Sequence, residues 1–485
     1  MRTRTFLTTA ACIAAVIGLT SPTAGTATPA ASPSTARDTA DFNGDGYPDL
    51  AIGAHTATVD GVKRAGAFTV AYGSATGLRY DQPAVSQATP GVPDHPVEDG
   101  KWHEVAAHGD FDGDGHDDLY IRWIDKNLIL WGSPSGITGA STTLPAGNHT
   151  ATDPTLLDGA FGSGDVNGDG TADLVIRSHG GPTVGLSVLY GPVDRSTGRP
   201  ASTVFRDIEK EDKMGGPRAL FVADVTGDGF ADVIVSGDRD DRGDKPKSKV
   251  LKGSRTGLVK GSGTFKQYAG HSHVTGSAFG DLNGDGYLDL AVGLTATRSD
   301  IERDAVSVNY GGPKGLNTTA PARLLTQSSI GVPGIAELGD LWGSTLAITD
   351  TDGDGSADLL VGAPYETAGD ETTTARSGAL TVLRGSRTGI TTAGAQTLTQ
   401  NTVGVPSTSD SNDHFGSALT AIDTDKNGEP EVYVGGNGED LYDGRVWKLL
   451  TVPGTGLTGT GATSFGLTAF GGSSGASNFG YRFAG

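Results

Sequence analysis

Seven times along the chain an aspartate opens a nine-residue stretch. Oxygen-bearing side chains stand at its first, third, fifth and ninth places, and glycine stands at the sixth. The sets are Asp41, Asn43, Asp45 and Asp49; Asp110, Asp112, Asp114 and Asp118; Asp165, Asn167, Asp169 and Asp173; and Asp224, Thr226, Asp228 and Asp232. They continue with Asp281, Asn283, Asp285 and Asp289; Asp350, Asp352, Asp354 and Asp358; and Asp423, Asp425, Asn427 and Glu431. Hard oxygens at this spacing wrap a cation, with the backbone carbonyl of the seventh residue as a further ligand. The sixth residue is glycine in every copy, from Gly46 to Gly428, and permits the left-handed backbone that turns a loop around an ion. With no His or Cys at the ligand places, the chemistry points to calcium rather than zinc. Asx turns joining strands would use the same residues without any ion. Seven recurrences with four oxygen places kept favour the cation.

Charge agrees with that reading. The seven loops hold 25 of the 57 acidic residues, leaving 32 against 36 Lys and Arg elsewhere. Carboxylates packed around one turn repel one another unless a cation lies among them. The copies are unequal. The second and sixth offer four aspartates, the fourth has Thr226 at its third place, and the seventh is the most degraded. The first half of an EF-hand is similar, but no flanking helix or twelfth-place Glu accompanies these loops, so the ninth residue is expected to close the site. Affinities on the order of 10⁻⁴–10⁻³ M, the weak extracellular range, and a structural role for the ion are the expectation.

The elements that position the loops follow from the repeat. Loop starts are separated by 55 to 73 residues. Each loop is followed by a short apolar run closed by Gly, such as Leu290-Ala291-Val292-Gly293 or Leu359-Leu360-Val361-Gly362, read as a buried inner strand. An alternating strand ending near Gly-Ser comes next, as at Leu380–Gly385. Eight residues before several loops stands an aromatic (Trp102, Trp342, Phe415), and Gly-Val-Pro stands further upstream at Gly91, Gly331 and Gly404. Phe479-Gly480-Tyr481-Arg482-Phe483 resembles a strand that should precede a loop, and the first loop lacks one, so the two termini are expected to share a blade. The prediction is an all-β, seven-bladed β-propeller over residues 40–485, closed by its N- and C-terminal strands.

Composition bounds the class. Among 485 residues, 76 Gly and 23 Pro make up about a fifth of the chain. There is no Gly-X-Y period, which excludes collagen, and few Met or basic residues argue against helix bundles. A formal net charge of −21 argues against a nucleic-acid partner. Residues 1–27 read as a signal peptide: Arg2 and Arg4, an apolar Phe6–Leu19 and a small-residue cleavage site at Gly25-Thr26-Ala27. The apolar run is too short to span a membrane. The only cysteine, Cys12, lies within it, so the mature chain holds no disulfide. Residues 28–39 read as a flexible linker. The expectation is a secreted, extracellular monomer with no membrane span.

These repeats resemble the FG-GAP repeats of the integrin α-subunit head and its bacterial relatives. The sixth unit carries the fullest set: Gly331-Val332-Pro333-Gly334, Glu337, Gly339-Asp340, Trp342-Gly343, the loop Asp350–Asp358, and Val361-Gly362-Ala363-Pro364. The Phe-Gly pair survives at Phe415-Gly416 and Phe479-Gly480, and Gly53-Ala54-His55 departs from Gly-Ala-Pro by one residue. The resemblance implies a propeller with calcium in loops on one face and ligand contacts commonly on the other. The integrin leg domains and membrane span have no counterpart here.

Other motifs are set aside. In His103-Glu104-Val105-Ala106-Ala107-His108 the histidines are five apart, where a zinc-protease helix needs four. Gly471-Gly472-Ser473-Ser474-Gly475 has the spelling of a nucleophile elbow but no helix after it. Arg242-Gly243-Asp244 is an adhesion tripeptide within a charged loop that produces such triplets readily. Loops 54–65, 237–249, 294–304, 363–377 and 436–443 are expected to emerge opposite the Asp loops, where Arg239, Arg242, Tyr365 and Tyr442 could meet a ligand. The first functional reading is a calcium-stabilised extracellular binding or adhesion module for a glycan or protein. The alternative is a secreted enzyme acting on polysaccharide or an ester, for which no acid, base or nucleophile set stands out.

Overall fold

In the computed structural model the described residues are 39–100, 102, 105–123, 126–145, 161–180, 183–208, 217–237, 248–266, 271–296, 304–369 and 371–484. The expected signal segment at 1–27, and all of the expected linker except Thr39, lie outside them. So do His103, Glu104, Arg239 and the Arg242-Gly243-Asp244 triplet.

Seven antiparallel sheets form a ring, a seven-bladed β-propeller. The first blade has β1 (Leu50–Ala54) and β2 (Ala67–Ala71), joined by the C-terminal strand described below. The second runs β3 (Val105–Gly109), β4 (Asp118–Trp123), β5 (Lys126–Leu130) and β6 (Ser141–Thr143). The third runs β7 (Phe161–Gly164), β8 (Asp173–Gly180), β9 (Thr183–Val193) and β10 (Pro200–Arg206). The fourth has β11 (Pro217–Ala223), β12 (Asp232–Gly237), β13 (Ser248–Lys252) and β14 (Val259–Lys260), and the fifth β15 (His271–Gly280), β16 (Asp289–Ala296), β17 (Ala305–Asn309) and β18 (Arg323–Thr326). The sixth has β19 (Thr345–Thr349), β20 (Asp358–Ala363), β21 (Ala379–Arg384) and β22 (Thr391–Leu398). The seventh has β23 (Phe415–Ile422), β24 (Glu431–Gly436), β25 (Arg445–Val452) and β26 (Gly456–Phe465). Finally β27 (Phe479–Ala484) returns to pair with β1, aligning Ala51 with Ala484 and Ile52 with Phe483. The terminal strands therefore close the ring.

The first strands of neighbouring sheets lie against one another around the centre. This places the apolar runs differently from the sequence reading. They are the second strands, and the innermost strand of each blade is the one before the Asp loop. Burial on both faces accounts for their unbroken apolarity: every residue of β12, β20 and β24 is buried, whereas the outer β10 is largely exposed. Seven apolar clusters fill the seven seams, one between each pair of adjacent blades. Trp102, Trp342, Phe415 and Phe479 are all buried in them.

The glycine pairs of the repeat meet across these seams. Gly362, which closes an apolar run, lies so near the Gly416 carbonyl of the next blade that a Cβ would stand 2.5 Å from it. Gly416 itself has a left-handed φ of +93°. Glycine is needed at both places, for close approach and for backbone conformation. Among the described residues, no helix is long and apolar enough to cross a membrane.

Candidate functional site: the acidic loops

Six of the Asp loops join the first strand of a blade to the second, the loop at Asp41–Asp49 leads directly into β1, and the Gly-Ser corners follow the third strands, so loops and corners share one face of the ring. In all seven loops the first carboxylate accepts the N–H of the sixth-place glycine, at 2.7 to 2.9 Å. The fifth-place oxygen accepts the N–H of the seventh residue, as from Tyr47 to Asp45 and from Ser356 to Asp354. The side chains of the first, third and fifth places thus turn inward on one short arc of backbone.

The ninth-place aspartates hold the loop to the rest of the blade. Asp49 accepts the N–H of Phe42 on one oxygen and that of Gly73 on the other, at 2.8 and 2.9 Å. Asp118, Asp173, Asp232, Asp289 and Asp358 repeat the arrangement with Gly132, Gly191, Gly253, Gly311 and Gly385. Glu431 departs from it: one oxygen takes Thr424 N–H and Oγ1, and the other lies 3.5 Å from Lys448 Nζ. Burial raises Asp49 and Asp118 to about 8, and Asp173, Asp232 and Asp289 to about 7; backbone donors oppose the rise and neighbouring loop carboxylates add to it.

The loops also tie neighbouring blades together. The second-place carbonyl accepts an N–H from the following blade's corner: Phe42 from Ser133, Phe111 from Val193, Val166 from Ser254, Val225 from Gly312, Leu282 from Ser386, and Thr424 from Ser74. In the sixth loop the third-place carbonyl, of Asp352, serves instead and accepts from Gly454. Anything that orders a loop therefore orders a seam.

Basic side chains divide the loops into two kinds. In the second loop Arg195, from the next blade's corner, binds Asp112 and lies 2.6 Å from Asp114 Oδ2, with its guanidinium over the Trp131 ring. In the sixth, Arg384 Nη1 lies 2.8 Å from Asp358 Oδ2 and 3.2 Å from Asp352 Oδ2. Lys252 pairs with Asp228 at 2.8 Å in the fourth, and Arg79 approaches Asp45 at 3.8 Å in the first. Among the described residues, no basic side chain pairs with the third or fifth loop. The acidic oxygens converge most closely in the two arginine-held loops, as Asp110, Asp112 and Asp118 and as Asp350, Asp352 and Asp354. Sequence reasoning found the carboxylates and missed these cations, which no fixed spacing connects to the loops.

The donor set fits calcium: oxygen only, several carboxylates per loop, and in Asp352 Oδ1 a buried oxygen without a hydrogen-bond partner. The third and fifth loops offer the set without a competing cation.

On the opposite face two of the singled-out residues come together. The Tyr365 ring lies 4.9 Å from His414, His414 lies 6.2 Å from Tyr442, and Arg376 stands over Tyr365. Burial holds His414 below the usual imidazole range. Gly471–Gly475 lies between a short 3₁₀ turn (Leu467–Phe470) and β27, not in a strand–turn–helix elbow.

The FG-GAP repeat matches residues 38–70 and 342–383, and the FG-GAP-like repeat matches 224–292. No curated protein matches the chain. Among solved structures, a lectin of Agrocybe aegerita that recognises non-reducing terminal N-acetylglucosamine aligns over 90% of this chain and 96% of its own, at 14% identity and a TM-score of 0.48. A triple-arginine mutant of AofleA from Arthrobotrys oligospora aligns over 74% and 86%, at 12% identity and 0.38. The V. cholerae biofilm matrix protein Bap1 aligns over 63% of this chain and 42% of its own, at 15% and 0.29. Likenesses at these scores say nothing of what this chain binds. The repeat matches fall on the first, fourth, fifth and sixth blades of the ring: the chain carries FG-GAP repeats and folds them into an integrin-α-like seven-bladed propeller.

Proposed function

We propose that this propeller is a secreted, calcium-stabilised binding module for an extracellular glycan or protein. Residues 1–27 are the export signal, 28–39 the linker, and 40–485 the working domain, acting as a monomer. The observation that carries the calcium reading is the pair of uncompensated loops. Asp165, Asn167, Asp169 and Asp173, and Asp281, Asn283, Asp285 and Asp289, gather oxygen ligands with no basic side chain paired to them among the described residues. These residues would hold the ion first, and its charge would permit their carboxylates to stay ionised together.

Binding is supported by the other face. Among the described residues the most exposed large apolar side chains, Ile330, Ile335, Leu338, Val403 and Leu441, stand on connections that emerge opposite the Asp loops. Exposed apolar groups concentrated on one face are typical of contact surfaces.

Thermal unfolding of residues 38–485 in calcium, magnesium and chelator tests the ion. The expected result is a melting temperature raised by calcium above both other conditions. Equal temperatures in calcium and chelator would end the calcium reading. Retention on immobilised glycans and extracellular proteins, with released products assayed alongside, tests the module. Catalytic release would replace binding by an enzyme.

A further inference from the structure

A cleft of about 460 Å³ opens on the seam between the third and fourth blades, apart from the apolar face. Its wall includes Tyr190 on β9, Ser202 and Arg206 on β10, Arg255 and Thr256 from the fourth blade's corner, and Asn167 from the third loop. Arg206 Nη1 donates to the Leu258 carbonyl at 2.7 Å, which holds its guanidinium beside Tyr190. Arg255 is exposed, and among the described residues its side chain has no hydrogen-bond or ion-pair partner.

The same arrangement of residues recurs one blade pair later. The corner Gly253-Ser254-Arg255-Thr256-Gly257 is repeated letter for letter as Gly385-Ser386-Arg387-Thr388-Gly389. Tyr310 stands where Tyr190 does and accepts the Ile390 N–H at 3.0 Å. Arg323, from β18, donates to the Ile390 carbonyl, the counterpart of Arg206 on Leu258. Arg387 is exposed like Arg255 and likewise has no side-chain partner among the described residues, and the fifth loop supplies Asn283 in the place of Asn167.

A third seam shows that the architecture does not require the arginines. Between the first and second blades Tyr72 accepts the Ile137 N–H at 2.8 Å, so the tyrosine latch is intact. The corner there reads Gly132-Ser133-Pro134-Ser135-Gly136, with no arginine. In a chain of net charge −21, Arg255 shares a cleft with the Arg206 guanidinium and Tyr190, Arg387 occupies the same corner place near Tyr310, and neither has an acidic partner among the described residues, an arrangement suited to a negatively charged ligand.

We infer that the seams between blades 3 and 4 and between blades 5 and 6 each bind a carboxylate-bearing sugar unit. Guanidinium forks match a planar carboxylate with paired donors. The cleft is too large for a lone anion and suits a small ring. Ser202 and Thr256 offer hydroxyl partners, while Val204 and the Tyr190 ring give an apolar flank for the carbon face of a sugar. Asp169, two places on in the loop, accepts the Asn167 amide at 2.8 Å, so a singly charged carboxylate is better tolerated there than a phosphate dianion. The inference gives the glycan option of the binding module a chemical class and does not depend on calcium.

Calorimetry and saturation-transfer NMR on residues 38–485 test it, with D-glucuronate and D-galacturonate against D-glucose, D-galactose and acetate, each with and without chelator. The expected result is binding of a uronate at two sites, with neutral sugars and acetate at least tenfold weaker, consistent with about 1.5–3 kcal/mol for a hydrogen bond to a charged group. Arg255→Gln and Arg387→Gln should each remove one site, and the double variant both. Both side chains are exposed, so melting temperatures should match the parent. A double variant that binds uronate as the parent does, equal binding of the neutral sugars, no uronate binding, or acetate binding as tightly as uronate would each overturn the proposal. Uronate binding that persists in chelator while calcium leaves the melting temperature unchanged would end the calcium reading alone.

Discussion

Across the seam between the second and third blades, Arg195 Nη2 lies 2.6 Å from Asp114 Oδ2, so one blade supplies the counter-charge for its neighbour's acidic loop. Arg384 does the same work within the sixth blade, 2.8 Å from Asp358. An ion entering either loop must displace a guanidinium already held by two carboxylates, whereas the third and fifth loops impose no such cost.

Calcium occupancy should follow that division. Native mass spectrometry of chelator-treated protein titrated with calcium should show two ions bound ahead of the rest. Arg195→Gln and Arg384→Gln should each add an early-filling site. A count unchanged by both substitutions would show that the arginines do not compete.

Asp173 has a structural part independent of any ion, because its oxygens accept Val166 N–H and Gly191 N–H, both at 3.0 Å. Asp173→Ala leaves two buried donors unpaired, at about 1–3 kcal/mol each. Chemical denaturation in chelator should show this loss of stability. An effect seen only in calcium would mean that the side chain serves the ion alone.

Gly362→Ala should wedge the seam between the sixth and seventh blades. Its new methyl would stand 2.5 Å from the Gly416 carbonyl and 2.1 Å from Thr345 Oγ1. Overpacking of this sort costs about 1–3 kcal/mol, measurable as a lower melting temperature. An unaltered melting temperature would show that the blades slide apart freely there.

Glu366, on the face away from the loops, is raised to about 7 by burial, with the Gln327 hydrogen bond opposing and Asp340 and Glu337 adding to the shift. The folded chain therefore binds this proton more tightly than the unfolded chain does, and stability falls as pH rises from the ordinary carboxyl value towards 7. Glu366→Gln should unfold at a higher temperature than the parent at pH 8 by roughly 1–2 °C, about 1 kcal/mol for a chain this long, and at the same temperature at pH 5. Parallel pH curves for the two proteins would assign the slope to other groups.

The seven blades were legible because each announces itself with the same loop, and the shared blade because Phe479-Gly480 repeats Phe415-Gly416. Radial position was not. An unbroken apolar run such as Leu359–Val361 reports burial on both faces, which a second strand has, while the innermost β7 is only Phe-Gly-Ser-Gly and carries little apolar signal. The loop carboxylates were legible by spacing, but Arg195 reaches Asp112 across 83 residues and Arg384 reaches Asp358 across 26. The arginine cleft did leave a trace, in the twice-written Gly-Ser-Arg-Thr-Gly; on its own that string reads as a strand end, and only the third dimension sets Tyr190 beside it.

The pairing of β27 with β1 also imposes an order of events on the growing chain. β1 and β2 are made first, yet the sheet they belong to lacks its innermost strand until Phe479–Ala484 has been synthesised. Through all of translation up to that point the N-terminal hairpin carries a bare edge, the kind of edge that recruits strands from other molecules. A product cut short before Phe479 thus leaves the ring unclosed with that edge bare, and only a chain that includes β27 can hide it.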